Sequence, residues 1–230
     1  MFFPVLENLE VSMNRFITIA IDGGAGVGKS TLAKLICSKK NYLYIETGNF
    51  YRAITYLMLE MKIKPESVAE QLNPDVIKFH SKISSKGFEL FAGDTNCIEL
   101  DLRSAEINKC VSDYAAQPAV RKFLLDFQRK QVTIAEKIGF VGIVMEGRDI
   151  GSKILPNADL KFFLSADYKT RMMRRDQDGE SDEIVTRDLK DSKRSTSPLL
   201  KTDDAIEINT GKLTKEEVFE IVNTELEKII

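Results

Sequence analysis

Lys29 stands in the stretch IDGGAGVGKST, Ile21 to Thr31, where Gly23, Gly28, Lys29 and Ser30 satisfy G-x-x-x-x-G-K-[ST]. Each residue type has a reason to be there. Glycines let backbone N–H groups turn inward around phosphate oxygens, and a following helix adds partial positive charge. A lysine at this position reaches the outer phosphates, and a hydroxyl after it can ligate Mg²⁺. Gly23, Gly24, Ala25, Gly26, Val27, Gly28, Lys29, Ser30 and Thr31 are therefore expected to hold the triphosphate of a nucleotide such as ATP, with Mg²⁺ carried by that nucleotide and Ser30 as its protein ligand.

A loop of this kind works only between a strand and a helix, and both are present. FITIAID (Phe16 to Asp22) is a short apolar run stopped by glycines, and STLAKLIC has helical period. YLYIE (Tyr42 to Glu46), FVGIVME (Phe140 to Glu146), LKFFLSA (Leu160 to Ala166) and AIEINT (Ala205 to Thr210) repeat the strand pattern between helical segments. That alternation predicts an α/β fold with a five-stranded parallel sheet. Thr214 and Glu217 form a capping box ahead of a last amphipathic helix. From Ile63 to Arg121 the alternation breaks into short helical pieces, with His80 expected on a helix, and a hairpin-like GFELFAGDTNCIEL (Gly87 to Leu100). From Asp167 to Arg194 the chain is densely charged in both signs and is expected to lie over solvent as mobile helices.

In parallel sheets ligands sit beyond the C-terminal strand ends. ETGNFYR (Glu46 to Arg52) puts Thr47, an aromatic and Arg52 at one end, and EGRDIG (Glu146 to Gly151) puts a carboxylate, Arg148 and Asp149 at another. Two guanidinium forks near a phosphate loop suit a second, accepting phosphate. Glu146 closes an apolar strand and could hold the metal through water or orient Arg148.

With 230 residues, 30% charged, 43% hydrophobic and a net charge of -2, the chain suits one folded domain and favours neither disorder nor a general nucleic-acid surface. No apolar run approaches a membrane span. Residues 1–12 lack the features of a secretory signal and are expected to be an extension. Cys37, Cys97 and Cys110 have neither disulfide nor metal spacing and are expected to be buried thiols of a cytoplasmic protein.

DGGAGVGKST, ETGNFYR, LRSAEINKCVS, PAVR, EGRDIG and RDLKDSKRSTSPL, in this order, resemble the bacterial cytidylate kinases from about Phe16 to the C-terminus. The resemblance implies a P-loop NTPase three-layer core (about 13–62, 118–166 and 195–230), a monophosphate-binding insert (about 63–117) and a short lid (about 167–194). It implies that Arg52, Arg148 and Arg194 bind the α-phosphate of the acceptor. It further implies that Ser112, Arg121 and Asp149 read the cytosine edge, and that Arg187, Asp191 and Arg194 surround the ribose. By residue type alone Ser112, Arg121 and Asp191 would read as solvated helix positions.

The expected chemistry is in-line transfer from ATP to CMP or dCMP in a monomer. Lys29, Arg148 and the lid residues Arg171 and Arg175 would stabilise the moving phosphoryl group. The chain departs from the family at several positions. Gly24 replaces a usual proline, Glu46 and Glu146 replace aspartates, and Lys190 sits where an arginine is common. Two alternatives stay open on sequence: another P-loop kinase acting on UMP or a different acceptor, and a nucleotide-binding module without turnover. NKCV (Asn108 to Val111) lacks the aspartate of a guanine-reading motif.

Overall fold

A computed structural model describes residues 15–73, 77–177, 179 and 184–230. The suggested extension, residues 1–12, lies outside the described residues. The chain begins with strand β1 (Ile17–Gly23), helix α1 (Lys29–Lys39), β2 (Tyr42–Glu46) and α2 (Gly48–Glu60). A one-turn α3 (Val68–Gln71) leads to β3 (Phe79–Ser84), β4 (Gly87–Ala92) and β5 (Thr95–Asn96). There follow α4 (Ala105–Ala115), α5 (Pro118–Ile138), β6 (Gly142–Gly147), a π-helical turn (Ile150–Ile154) and β7 (Leu160–Ser165). The chain ends with α6 (Tyr168–Gln177), α7 (Ile184–Lys193), β8 (Ile206–Asn209) and α8 (Lys215–Glu227).

The main sheet has the order β2-β6-β1-β7-β8, and every pairing is parallel. β1 is central because Ile19, Ala20 and Ile21 have no exposed surface, which only a strand covered on both faces permits. One side is packed through Leu43, Ile45, Ile54, Leu124 and Met145 against α2 and α5. The other is packed through Ile19, Leu32, Ile36, Phe162 and Val222 against α1 and α8. The result is a three-layer α/β arrangement, its parallel sheet expected from the alternation and its layering implied by the family resemblance.

Local chemistry sets the element ends. α5 starts with Pro118, whose missing N–H costs nothing there, and stops at Gly139, left-handed with φ 99°. In α8 the Thr214 hydroxyl and the Glu217 carboxylate cap each other's backbone, as the spacing predicts.

Between α3 and α4 the structure differs in detail from the sequence reading. His80 lies on β3, not on a helix, with its ring stacked on Phe91 at 4.8 Å. The reason is pairing: β3 is held antiparallel to β4 over six residues, a contact that local propensity does not show. The hairpin at Gly93 and Asp94 is present, but its second arm is only Thr95–Asn96 before a 3₁₀ turn (Cys97–Glu99). Cys97 is buried, whereas Cys37 and Cys110 are half-buried, and all three are free thiols. Among the described residues no helix is long and apolar enough to cross a membrane.

Candidate active site

The loop between β1 and α1 bends through Gly26 (φ 71°) and Gly28 (φ 92°), a left-handed backbone that side chains resist. The turn brings the Lys29 ammonium back onto the Gly24 carbonyl at 2.7 Å, largely out of solvent. The loop is braced from the far strand, since the Thr210 hydroxyl donates to Val27 O at 2.8 Å. Arg174 of α6 donates to the Thr210 hydroxyl at 3.0 Å and to its carbonyl at 2.9 Å. A cleft of about 630 Å³ opens over the loop, and Glu46, Arg52, Arg148 and Arg175 line its other walls.

Arg52, buried at 3% exposure on α2, donates to Leu102 O at 2.8 Å and to Asn108 Oδ1 at 2.7 Å. Arg148 follows β6 and donates to Gly23 O at 3.0 Å and to Asp191 Oδ2 at 2.9 Å, so its guanidinium joins the loop to α7. Arg194 lies 3.6 Å from the second oxygen of Asp191. Burial pushes the Arg194 guanidinium below its ordinary value, and the Asp191 carboxylate opposes that.

Behind the arginines is a second cluster that the cleft does not reach. Arg121 Nη1 and Asp149 Oδ2 form a buried ion pair at 2.8 Å, Arg121 Nε donates to Ala115 O at 2.7 Å, and the guanidinium lies 5.2 Å from the Tyr51 ring centre. Ser112 is buried on α4, three residues before that carbonyl. Ser112, Arg121 and Asp191 are thus interior residues, contrary to what their types suggest. Tertiary packing of α4, α5 and α7 encloses them.

Glu46 and Glu146 are register neighbours at the ends of β2 and β6. Glu146 is 3% exposed and accepts from the Tyr44 hydroxyl, with the Ser30 hydroxyl also in hydrogen-bonding reach. Burial pushes the Glu146 carboxyl up from its usual range, while the charge of Lys29 pulls it down. Glu146 therefore faces the loop and not Arg148. Arg148 is oriented instead by Gly23 O and Asp191. Hydroxyl and carboxylate oxygens are the hard donors that suit Mg²⁺, so the set fits such an ion. Thr47 is 2% exposed, and its hydroxyl donates to Glu146 O at 2.8 Å.

Between α6 and α7 Arg171 pairs with Asp188, and Asp188 Oδ1 accepts from the Ala25 amide at 3.2 Å. A side chain at Gly24 would stand 2.7 Å from Asp188 Oδ2. The missing side chain is what allows this approach. Arg175 and Asp191 are buried, so these helices do not simply lie over solvent; their inner faces rest on the core. The side chain of Arg187 lies outside the described residues. Sequence reasoning gave no role to Arg103, which pairs with Glu46 at 2.5 Å and lines the cleft, nor to Asp188, Tyr51 and Thr210. Only Tyr51 carried a usable signal, as the aromatic next to Arg52 at a strand end.

The model of the family described as cytidylate kinase matches residues 19–228. A protein named cytidylate kinase from Listeria monocytogenes serotype 4a (strain HCC23) is 42% identical over 220 residues, 90% of this chain and 94% of that one. One of the same name from Bacillus subtilis (strain 168) is 39% identical over 221 residues, again 90% and 94%. Among solved structures, a sugar kinase from Janibacter sp. HTCC2649 superposes with a TM-score of 0.50 at 12% identity, over 92% of this chain and 95% of that one. At that identity the likeness is one of fold.

Proposed function

The chain belongs to the cytidylate kinase family, and on that premise we propose how its residues divide the phosphorylation of CMP by ATP. The observation that carries the reading is the shared cleft: the phosphate loop forms one wall, and Arg52, Arg148 and Arg175 line the others. Such a cleft suits two phosphates gripped at once.

The donor triphosphate lies under the amides of Gly23 to Thr31, with Lys29 on its outer phosphates. Arg52, Arg148 and Arg194 hold the acceptor α-phosphate. Asp149, Arg121 and Ser112 match the donor and acceptor pattern of the cytosine edge, Asp191 and Arg187 take the ribose, and Thr47 lies at the acceptor end. Residues 63–117 form the acceptor insert and 167–194 the lid. The protein works as a cytoplasmic monomer on CMP and dCMP, with neither nucleic acid nor membrane as partner.

An oxygen of the CMP phosphate attacks the γ-phosphorus of ATP, that phosphorus leaves the β-bridging oxygen, and ADP departs with the electron pair. The attacking oxygen is already anionic, so no strong base is required. What the protein supplies is alignment and cancellation of charge, from Lys29, Arg148, Arg171 and Arg175. Ser30, with Glu146 through water, would hold the Mg²⁺ brought with ATP, and the ion would supply further positive charge to offset that of the donor phosphates.

A coupled assay of ADP release against CMP, dCMP, UMP, AMP and GMP tests this. Turnover with CMP and dCMP at least about tenfold above the others is expected, because the buried polar set would be left unpaired by a wrong base. Preference for UMP or a purine nucleotide, or no turnover at all, would refute it.

A further inference from the structure

Asp22 is the last side chain of β1 before the glycines of the loop. It is 6% exposed, and its two oxygens each accept one backbone N–H from the π-helical turn after β6. Oδ1 accepts from Ile150 at 2.7 Å and Oδ2 from Gly151 at 2.8 Å. The next residue repeats the grip, since Gly23 O accepts from Arg148 Nη1 at 3.0 Å.

The β1–β6 ladder ends at the pair Asp22 and Gly147. Beyond it the strands have no further backbone bonds to each other, yet the residues that follow on β6 are those facing the acceptor. The carboxylate continues the tie past the point where the ladder stops. It grips residues 150 and 151 while Gly23 grips residue 148, which leaves Asp149 fixed between them and aimed at Arg121, 2.8 Å away. Gly151 makes room for this, because a Cβ there would stand 3.3 Å from Asp22 Oδ2 and 3.1 Å from the Lys161 stem.

We propose that Asp22 is a positioning residue for acceptor recognition: its carboxylate sets Arg148 and Asp149 at a fixed place relative to the phosphate loop. The choice of a charged residue supports this. Burial raises the Asp22 carboxyl to about 6, against the two amides; Asp149 pushes it further up and Lys29 pulls it down, while the Lys161 ammonium is turned away to Asp204 and Pro156 O. A carboxylate is kept at that cost because no neutral side chain of its size offers two separate acceptor atoms. Asparagine would serve one amide and point an N–H at the other.

The assignment rests on the cytidylate reading above, and calorimetry on the intact chain separates the two. CMP and a non-hydrolysable ATP analogue are titrated into wild type, Asp22→Asn and Gly151→Ala. Asp22→Asn keeps the volume and removes a buried charge, so it should fold; Gly151→Ala disturbs the same contact from the other side. The CMP dissociation constant is expected to rise about tenfold or more in Asp22→Asn and in the same direction in Gly151→Ala, with the ATP analogue held within about twofold. The amide protons of Ile150 and Gly151 should move upfield in Asp22→Asn. Variants that bind CMP like a wild type that binds it, or that lose both nucleotides equally, would overturn the role of Asp22 alone. Wild type that takes up no CMP would overturn the functional reading, and this assignment with it.

Discussion

Lys29 rests on the Gly24 carbonyl, so its ammonium is already withdrawn from water and held across the loop before a phosphate arrives. Lys29→Ala is expected to lower the single-turnover rate by about 10²–10³-fold, the usual cost of one charge aimed at the transition state. Its melting temperature should stay within a few degrees, because Lys29 belongs to neither apolar cluster. Asp149 is different, since it is half of a buried pair as well as a residue proposed to read the acceptor base. Asp149→Ala strands the Arg121 guanidinium and should cost roughly 3–5 kcal/mol of stability, read from urea midpoints, besides weakening CMP far more than ATP. Asp22 gives a pH signature. Its carboxyl is raised to about 6 in the folded protein, so between the unfolded value near 3.8 and 6 the folded state holds the extra proton. Its stabilising contribution is complete below the lower value and is lost as pH rises through about 6. Wild type should therefore lose up to about 3 kcal/mol relative to Asp22→Asn on going from pH 4 to pH 7, measured as the difference between their urea curves.

The elements around the site were legible to different degrees, and the reason is the range of the interactions that make them. All five strands of the parallel sheet are read from sequence to within two residues: β1, buried on both faces, must be a continuous apolar run, and the edge strand β8 shows in the alternation of Ile206 and Ile208 with Glu207 and Asn209. The phosphate loop is equally plain, its glycines being demanded by left-handed backbone at Gly26 and Gly28. β3 escaped because its partner β4 gives it its shape, and the burial of Ser112, Arg121 and Asp191 escaped because three separate helices close over them. The small sheet is held to the core by aromatic contacts that no local pattern reveals. Phe50 on α2 meets Phe88, Phe127 and Phe79 edge-on at 5.6, 5.5 and 6.2 Å. Phe50 has no exposed surface and lies two residues before Arg52. Phe50→Ala is expected to cost about 3–5 kcal/mol by denaturant titration. Phe50→Leu, which retains most of the volume, should restore most of the stability and return the CMP KM toward wild type.

At the scale of the whole molecule, the cations proposed to meet phosphates are already engaged by carboxylates of α7. Asp191 takes Arg148 at 2.9 Å and Arg194 at 3.6 Å, and Asp188 takes Arg171 together with the Ala25 amide of the loop. On the proposed reading, a nucleotide phosphate displaces a carboxylate at these cations, and α7 shifts with it. Because Asp188 and Asp191 ride on that one helix, the first nucleotide bears the cost of parting both sets and the second finds its cations released. Donor and acceptor should therefore bind with positive coupling: the CMP dissociation constant is expected to fall about 5- to 20-fold when an ATP analogue is present. Linkage requires the same factor for the analogue when CMP is added, so four titrations check the value against itself. Asp188→Asn should reduce the factor to about 2 or less by weakening the contact in the free enzyme, and it should tighten the analogue when CMP is absent. Gly24→Ala should act in the same direction from the loop side, since its new methyl would occupy the place where Arg171 and Asp188 approach. Equal CMP affinity with and without the analogue would show that the two sites open independently of α7.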